Sequence, residues 1–340
     1  MDSLTQIVLG AACGEVTLGK KEGNRALLWG AIAGTIPDLD TLSSLWLDVV
    51  DSNYHHRAAT HSILFAIVMA PVFGWLVSKI HRKQRTSWMA WSNLFFWGFF
   101  THPLLDSCTT WGTKLFWPFT DWAISIKSIF VIDPLYTLPF LVCIILASLM
   151  RRSNAKRRKL AWAGIAMSTF YLALTLLLKS IVYQDFEKAL ENQFVEYRRL
   201  DTRPSPLNSI LWAANVETDS TYLLGYRSLF DQSAVDFSSV PKQHHLIEPY
   251  KDDFKVKRLA SMSDGWYTIE QANDSTLVFN DLRFGRLENF EDNSGEFVFS
   301  YLIHLNQKTE NGHLAVTQRP NNFDDGGKLL KAIWKRMLGK

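Results

Sequence analysis

Long uncharged apolar runs constrain this chain more than any other feature of its sequence. Four of them approach the roughly 20 residues that cross a bilayer, and these are Ser62–Ser78, Trp88–Leu105, Pro134–Met150 and Leu160–Leu178. Two weaker segments rich in glycine and alanine precede them, Leu4–Gly19 and Ala26–Pro37. Small residues let helices approach closely inside a membrane bundle, so we expect these two to insert as well, with a buried or re-entrant helix pair as the alternative. The pattern predicts an α-helical multi-pass membrane domain of about six transmembrane segments.

Charged residues divide the chain into two unlike halves. Residues 1–183 contain 27 charged side chains, whereas the shorter stretch 184–340 contains 42. A single soluble domain should not divide this way, and a disordered chain would lack the 13 Trp and 22 Phe. The basic excess of the first half lies between apolar runs rather than on one face, which argues against a nucleic-acid partner. We therefore expect a membrane domain in 1–183 and a soluble domain in 184–340.

Basic loops give the membrane domain an orientation. Three loops contain 13 of the 17 basic residues of the first half, and they lie near Lys20, Arg82 and Arg157. By the positive-inside rule these loops are cytoplasmic. Six crossings then alternate without conflict, with the N-terminus and the polar domain both on the outer side.

The polar half reads as a strand-rich α+β domain. A helix is expected to continue over 181–200, and Pro204 and Pro206 follow it. Short β-branched and aromatic runs come next, separated by turn residues, and they predict strands: Ile210–Val216, Thr221–Tyr226, Trp266–Ile269, Thr276–Phe279 and Phe297–His304. A basic helix is expected near the end, over Gly327–Leu338. The histidines of this half show no recurrent spacing with carboxylates, so we interpret them as surface or structural residues.

The chemically interesting residues of the first half form three short clusters. The first is Thr35–Asp40, the second is His55–Ser62, and the third is Thr101–Asp106. His102 and Asp106 are four residues apart, which places them on one face of a helix. In the predicted topology all three clusters lie at the outer membrane face, and ionisable residues at bilayer depth are costly and usually functional.

Imidazoles and carboxylates converging at one rim suit a divalent metal ion. The set lacks thiolates, which disfavours an iron–sulfur cluster or structural zinc chemistry. Zinc fits best, as one ion or as two ions bridged by carboxylates, with manganese and iron left open. The predicted ligands are Asp38, Asp40, His56, His61, His102 and Asp106. Catalytic roles are expected for Asp38 or Asp40 as a general base and for Arg57, whose planar guanidinium suits a phosphate.

The same motifs resemble a known family. Met1–Gln6, Gly30–Asp40, His56–Ser62 and Thr101–Asp106 occur in the order typical of the YdjM-like family, described as LexA-binding, inner-membrane-associated metal-dependent hydrolases. The resemblance covers roughly residues 1–180 and implies a bacterial inner-membrane hydrolase. In such a membrane the orientation given by the basic loops makes the C-terminal domain periplasmic. Many members have a histidine where this chain has Gln6, and this departure weakens or changes that part of the site.

Three hypotheses follow for the function. The leading one is a membrane-bound metal-dependent hydrolase that acts at the outer membrane face on a lipid or lipid-linked phosphoester. The second is a metal-dependent amidase or deacylase, in which Arg57 binds a headgroup. The third is a non-enzymatic membrane-anchored binding or sensor protein with a structural metal. The sequence leaves the oligomeric state open.

Overall fold

The computed structural model describes residues 1–289, 294–320 and 326–339. These residues form two compact units. Unit 1 comprises residues 1–42, 55–177 and 206–208, and unit 2 comprises residues 43–54, 178–205 and 209–340. The helices in the first half of the chain are α1 (Ser3–Glu22), α2 (Asn24–Thr35), α3 (Val49–His55), α4 (Ile63–Ile80), α5 (Trp88–Ser107), α6 (Pro134–Ser148) and α7 (Ala155–Asn192).

Each apolar run of the first half forms a helix, and capping residues set where these helices begin. The side chains of Asp2, Ser62, Ser87 and Asp133 accept hydrogen bonds from backbone N–H groups of the first turns of α1, α4, α5 and α6. Such caps satisfy donors that would otherwise have no partner at a helix N-terminus. Asp2 is therefore engaged as the cap of α1.

Helices α1 and α2 pack against each other through glycines. A Cβ built on Gly10 would lie 2.3 Å from the carbonyl oxygen of Gly30, and one built on Gly14 would lie 2.0 Å from that of Ala26. No real side chain fits at those distances, so the backbones touch directly. This is the small-residue packing that the glycine and alanine content of these segments predicts.

The expectation of six membrane spans is wrong. Among the described residues, two helices are long and apolar enough to cross a bilayer, α4 and α7. Only 22% and 17% of their most apolar windows are buried inside the protein, so these faces are available to lipid. Helix α2 has 12 residues and α6 has 15, lengths of about 18 and 22 Å against an apolar core of about 30 Å. Helices α1 and α5 are long enough, but their polar residues lower their hydropathy.

Unit 2 contains two antiparallel four-stranded sheets, each in sequential strand order. The first consists of β1 (Arg199–Pro204), β2 (Leu211–Glu217), β3 (Thr221–Ser228) and β4 (Phe237–Pro241). The second consists of β5 (Tyr267–Asn273), β6 (Thr276–Asn289), β7 (Ser294–Lys308) and β8 (Leu314–Gln318). Helices α8 (Phe254–Met262) and α9 (Gly326–Met337) complete this unit. The predicted strand-rich domain and its terminal helix are confirmed, although the helix expected over 181–200 ends at Asn192.

Unit 2 also contains a short segment from the first half of the chain, residues 43–54. Val50 is fully buried in the apolar core that includes Val256 and Ile269. Asp51 forms ion pairs with Lys255, at 2.9 Å, and with Arg258. The second unit is thus discontinuous in sequence, which the composition of the two halves does not reveal.

Candidate metal centre

Three elements supply the polar residues of the site. A 3-10 helix over Ile36–Leu45 carries Asp38 and Asp40. A second, Ala59–His61, ends at His61 directly before α4. Helix α5 carries His102 and Asp106 one turn apart, with Pro103 inside the helix.

Four side chains point their ligand atoms at one another. Asp38, His61, His102 and Asp106 each offer one atom, and all four atoms lie within 4.8 Å of one another. His61 Nε2 is 3.4 Å from Asp38 Oδ1 and 3.4 Å from Asp106 Oδ2. His102 Nε2 is 3.4 Å from Asp38 Oδ1, 3.7 Å from Asp106 Oδ2 and 3.1 Å from His61 Nε2. Tetrahedral zinc with bonds of about 2.0–2.1 Å separates its ligand atoms by about 3.3–3.4 Å. The three distances among His61, His102 and Asp106, which are 3.1, 3.4 and 3.7 Å, are close to that spacing.

The Nδ1 atoms of His61 and His102 already have hydrogen-bonding partners. These partners determine whether each Nε2 atom carries a proton or a lone pair. His102 Nδ1 lies 2.8 Å from the carbonyl oxygen of Gly34, which can only accept, so Nδ1 donates. His61 Nδ1 lies 3.3 Å from Asp40 Oδ2. When both Nδ1 atoms donate, both Nε2 atoms present lone pairs to each other across 3.1 Å. That arrangement is repulsive unless a proton or a metal ion lies between them.

Asp106 is the most enclosed anion of the group. Its side chain is fully buried, and its Oδ2 lies 3.1 Å from Arg57 Nε in an ion pair but accepts no hydrogen bond from the described residues. The other oxygen, Oδ1, accepts from Gln6 Nε2 at 2.8 Å and contacts the Met1 amine. An unsatisfied carboxylate oxygen is costly when buried. A cation among the four atoms would satisfy Oδ2 directly.

Electrostatics of the site favour a positive charge at its centre. Burial lowers the pKa of His61, but the carboxylates of Asp106, Asp38 and Asp40 outweigh burial and raise that pKa to about 10. Burial raises the pKa of Asp38, but hydrogen bonds from His102 and His61 outweigh it and hold the pKa well below its ordinary value. Without a metal, a proton on His61 supplies the charge, and a divalent cation can replace that proton.

Two of the six predicted ligands lie outside the group of four. Asp40 contacts His61 Nδ1, and it also accepts from the backbone N–H of Arg57 at 3.0 Å. His56 Nδ1 lies 2.8 Å from Asp40 Oδ1. Asp40 therefore contacts the side of the His61 ring that faces away from the other ligand atoms, and His56 contacts Asp40. A carboxylate in this position fixes the orientation of a metal-binding imidazole.

Arg57 is placed beside the carboxylates rather than at the mouth of the site. It is 5% exposed, its Nε lies 3.1 Å from Asp106 Oδ2, and its Nη1 donates to Thr109 Oγ1 at 2.9 Å. Its φ of +60° is in the left-handed region, which is uncommon for residues other than glycine. In this position the guanidinium neutralises Asp106, and the predicted binding of a phosphate by Arg57 stays a prediction.

Sequence reasoning assigned no role to Gly34 or Thr60, and it named Gln6 only as a departure from the family pattern. The carbonyl oxygen of Gly34 orients His102, and the hydroxyl of Thr60 donates to Asp40 at 2.9 Å. Gln6 contacts both Asp106 and the backbone oxygen of His102. Gly34 directly precedes the first cluster, Thr60 lies within the second and Gln6 lies within the opening motif, so proximity to the motifs was the signal available.

Comparison with known proteins links this half of the chain to one family. A family model described as "YdjM inner membrane protein" matches residues 1–182, which is more than half of the chain. The matched region contains every residue of the candidate metal centre. Neither the curated proteins nor the solved structures contain a match to the chain.

Proposed function

The chain belongs to the YdjM inner membrane protein family, and from this premise we propose that it is a membrane-bound metal-dependent hydrolase. Its substrate in this proposal is a lipid or lipid-linked phosphoester at the outer face of the membrane. Zinc is the proposed metal because two imidazoles and a carboxylate, with one position left for water or substrate, suit it. One observation carries the proposal: ligand atoms of two histidines and two aspartates converge. One of these atoms, Asp106 Oδ2, is buried and accepts no hydrogen bond from the described residues.

The solvent exposure of the four side chains distinguishes metal ligands from a general base. The side chains of His61, His102 and Asp106 are fully buried, whereas that of Asp38 is 22% exposed. Catalytic zinc sites have three protein ligands and keep one position for water or substrate. His61, His102 and Asp106 would hold the ion, and Asp38 stands where solvent and substrate enter.

The protein groups then have distinct tasks in hydrolysis. A divalent ion held by His61, His102 and Asp106 would supply polarisation of a phosphoryl oxygen and a more acidic water. Asp38 accepts a proton from the attacking water as general base. Arg57 and Gln6 hold Asp106, and Asp40 holds His61, so the ligands need little rearrangement when substrate binds.

Asp38→Asn tests this division of roles. We expect the variant to retain its metal and to lose at least about 100-fold in turnover, a typical contribution of a general base. The assay measures headgroup release from bacterial phospholipids, lipid-linked phosphates and lipid amides, with metal content determined in the same samples. Exposed Asp219, which is 85% accessible, provides the matched control, Asp219→Asn. Normal turnover by Asp38→Asn would exclude Asp38 as the base.

One observation favours the sensor hypothesis as a second candidate. If Asp38 also binds the ion, the protein supplies all four ligands, and a closed tetrahedral shell is typical of a structural site. That arrangement predicts that Asp38→Asn loses metal affinity and that the wild-type chain hydrolyses none of the tested lipids. The same assay therefore separates the two candidates.

The proposed orientation places the metal centre on the periplasmic side. Helix α4 begins next to His61 and ends at Lys79 and Ile80, and α7 begins among the basic residues 156–159. The positive-inside rule then leaves the centre and residues 193–340 outside the cytoplasm. An impermeant reagent should fail to label a cysteine introduced at position 156 in intact spheroplasts, and labelling there would reverse the orientation.

A further inference from the structure

A hairpin between α5 and α6 exposes aromatic side chains next to the metal centre. Thr113 and Ile124 pair as an antiparallel bridge, with backbone hydrogen bonds of 2.9 Å in both directions. At the tip between them, Phe116 is 44% exposed, Phe119 is 82% exposed and Trp122 is 63% exposed. We call residues 113–124 the aromatic hairpin.

The aromatic hairpin contains little charge for so exposed a segment. Its charged residues are Lys114 and Asp121, and they face each other at 3.4 Å. Lys114 is also largely buried. Exposing large aromatic side chains to water without nearby charges is unfavourable. Burying Phe or Trp side chains away from water lowers the free energy.

Two backbone hydrogen bonds fix the position of the aromatic hairpin. The N–H of Ile63, the first residue of α4, donates to the carbonyl oxygen of Leu115 at 2.9 Å. The N–H of Lys114 donates to the carbonyl oxygen of Arg57 at 3.0 Å. The hairpin is therefore joined both to the end of a candidate membrane span and to the residue beside Asp106.

Its position at the end of α4 indicates what covers the exposed tip. The apolar face of α4 is itself exposed, with Ile67 and Val68 more than half accessible. If α4 crosses the bilayer, its first residue lies near the membrane–water interface, the level at which aromatic side chains collect in membrane proteins. The 3-10 helix that carries Asp38 also exposes Leu39 and Leu42.

We propose that the aromatic hairpin enters the interface of the outer leaflet and contacts lipid acyl chains beside the metal centre. The occupant of this surface is the bilayer lipid itself. A lipid held there by its chains would present its headgroup at the level of Asp38. Insertion of the aromatic hairpin into the membrane does not depend on catalysis, so it can be tested separately from the proposed hydrolysis.

Depth measurements on the full-length protein in vesicles of phosphatidylethanolamine and phosphatidylglycerol test the proposal. The variants Phe119→Cys and Phe194→Cys are labelled with an environment-sensitive fluorophore, and the unsubstituted chain gives the background from its own three cysteines. Phe194 is the matched control because it is 92% exposed and belongs to unit 2. Trp122→Cys provides a second position on the hairpin in case one substitution impairs folding.

The expected result is a label at position 119 or 122 that brominated lipids quench strongly and aqueous iodide quenches weakly, with the opposite pattern at position 194. Equal iodide quenching at 119, 122 and 194 would overturn the proposal. Protection from iodide without quenching by brominated lipid would also overturn it, because a protein surface would then cover the hairpin. Loss of metal or of turnover changes none of these readouts.

Discussion

Asp40 acts on the candidate metal centre through His61. Its Oδ2 lies 3.3 Å from His61 Nδ1 and also accepts from Thr60 and from the backbone of Arg57. Supporting carboxylates of this kind fix the tautomer and orientation of a ligating imidazole. We therefore expect Asp40 to act as a positioning residue, although the sequence alone ranks it equally with Asp38.

Asp40→Asn should weaken metal binding without abolishing it. We expect a loss of about 10- to 100-fold in metal affinity, typical for groups that support a ligand, because an amide oxygen holds the imidazole less firmly than a carboxylate. Competition with a chelator of known affinity measures the change, and Asp219→Asn should match the wild-type chain. An affinity reduced as severely as in His61→Ala would show that Asp40 is itself a ligand.

The residue types of the site could be predicted from the sequence, whereas their individual roles could not. Asp38, His61, His102 and Asp106 come from three clusters, and the structure brings their ligand atoms together. Sequence spacing cannot say which of two aspartates on one 3-10 helix turns inward. Nor can it show that Arg57 adopts a left-handed backbone and lies beside Asp106.

At the scale of elements, close packing of α1 on α2 contributes to the site. Gly34 lies in this contact, and a Cβ built on it would be 2.3 Å from the carbonyl oxygen of Gln6. The carbonyl oxygen of Gly34 is also the group that orients His102. Displacement of the helices would therefore alter the position of a ligand as well as the packing.

Gly34→Ala should reduce both stability and metal retention. Overpacking of a tight contact costs about 1–3 kcal/mol, and movement of Gly34 should release His102. Thermal unfolding and metal content of the purified protein measure the two effects. Gly327→Ala is the control, because nothing lies within 4 Å of a Cβ built there. A Gly34→Ala protein with wild-type stability and metal content would contradict the role assigned to this contact.

Apolar runs predicted the helices of unit 1 more successfully than they predicted its membrane spans. Each of the six segments is helical, yet α4 and α7 alone among the described helices meet the length and hydropathy of a span. Hydropathy along a sequence cannot distinguish apolar faces that meet lipid from those that meet other helices. Glycines 10, 14, 30 and 34 bury α1 and α2 against each other instead.

At the scale of the whole molecule, the two units are not divided at a single point in the sequence. Residues 43–54 lie between the Asp38 and His61 clusters in sequence but belong to unit 2. Val50 is fully buried among residues about 200 positions later in the sequence, including Ile247 and Val256. A boundary drawn at residue 183 from composition cannot include such a segment, because its interactions are with distant residues.

Val50→Ala should destabilise unit 2 even though the residue lies outside the polar half. Loss of a buried valine side chain costs about 1–3 kcal/mol, and hydrogen exchange over 247–262 and 267–279 should accelerate accordingly. Leu45→Ala removes a larger side chain that is 78% exposed in the same segment, and it should leave exchange unchanged. Equal protection in the Val50→Ala and wild-type proteins would mean that residues 43–54 do not stabilise unit 2.

Metal analysis of the purified full-length protein tests the central claim most directly. Elemental analysis is performed on the wild-type chain, His61→Ala and His102→Ala, with exposed His245→Ala as the control and circular dichroism as the check on folding. We expect stoichiometric zinc in the wild type and in His245→Ala, and its loss from both ligand variants with helical content retained. A folded His61→Ala protein with full metal content, or a wild-type chain that takes up no divalent metal when supplied with it, would contradict the account.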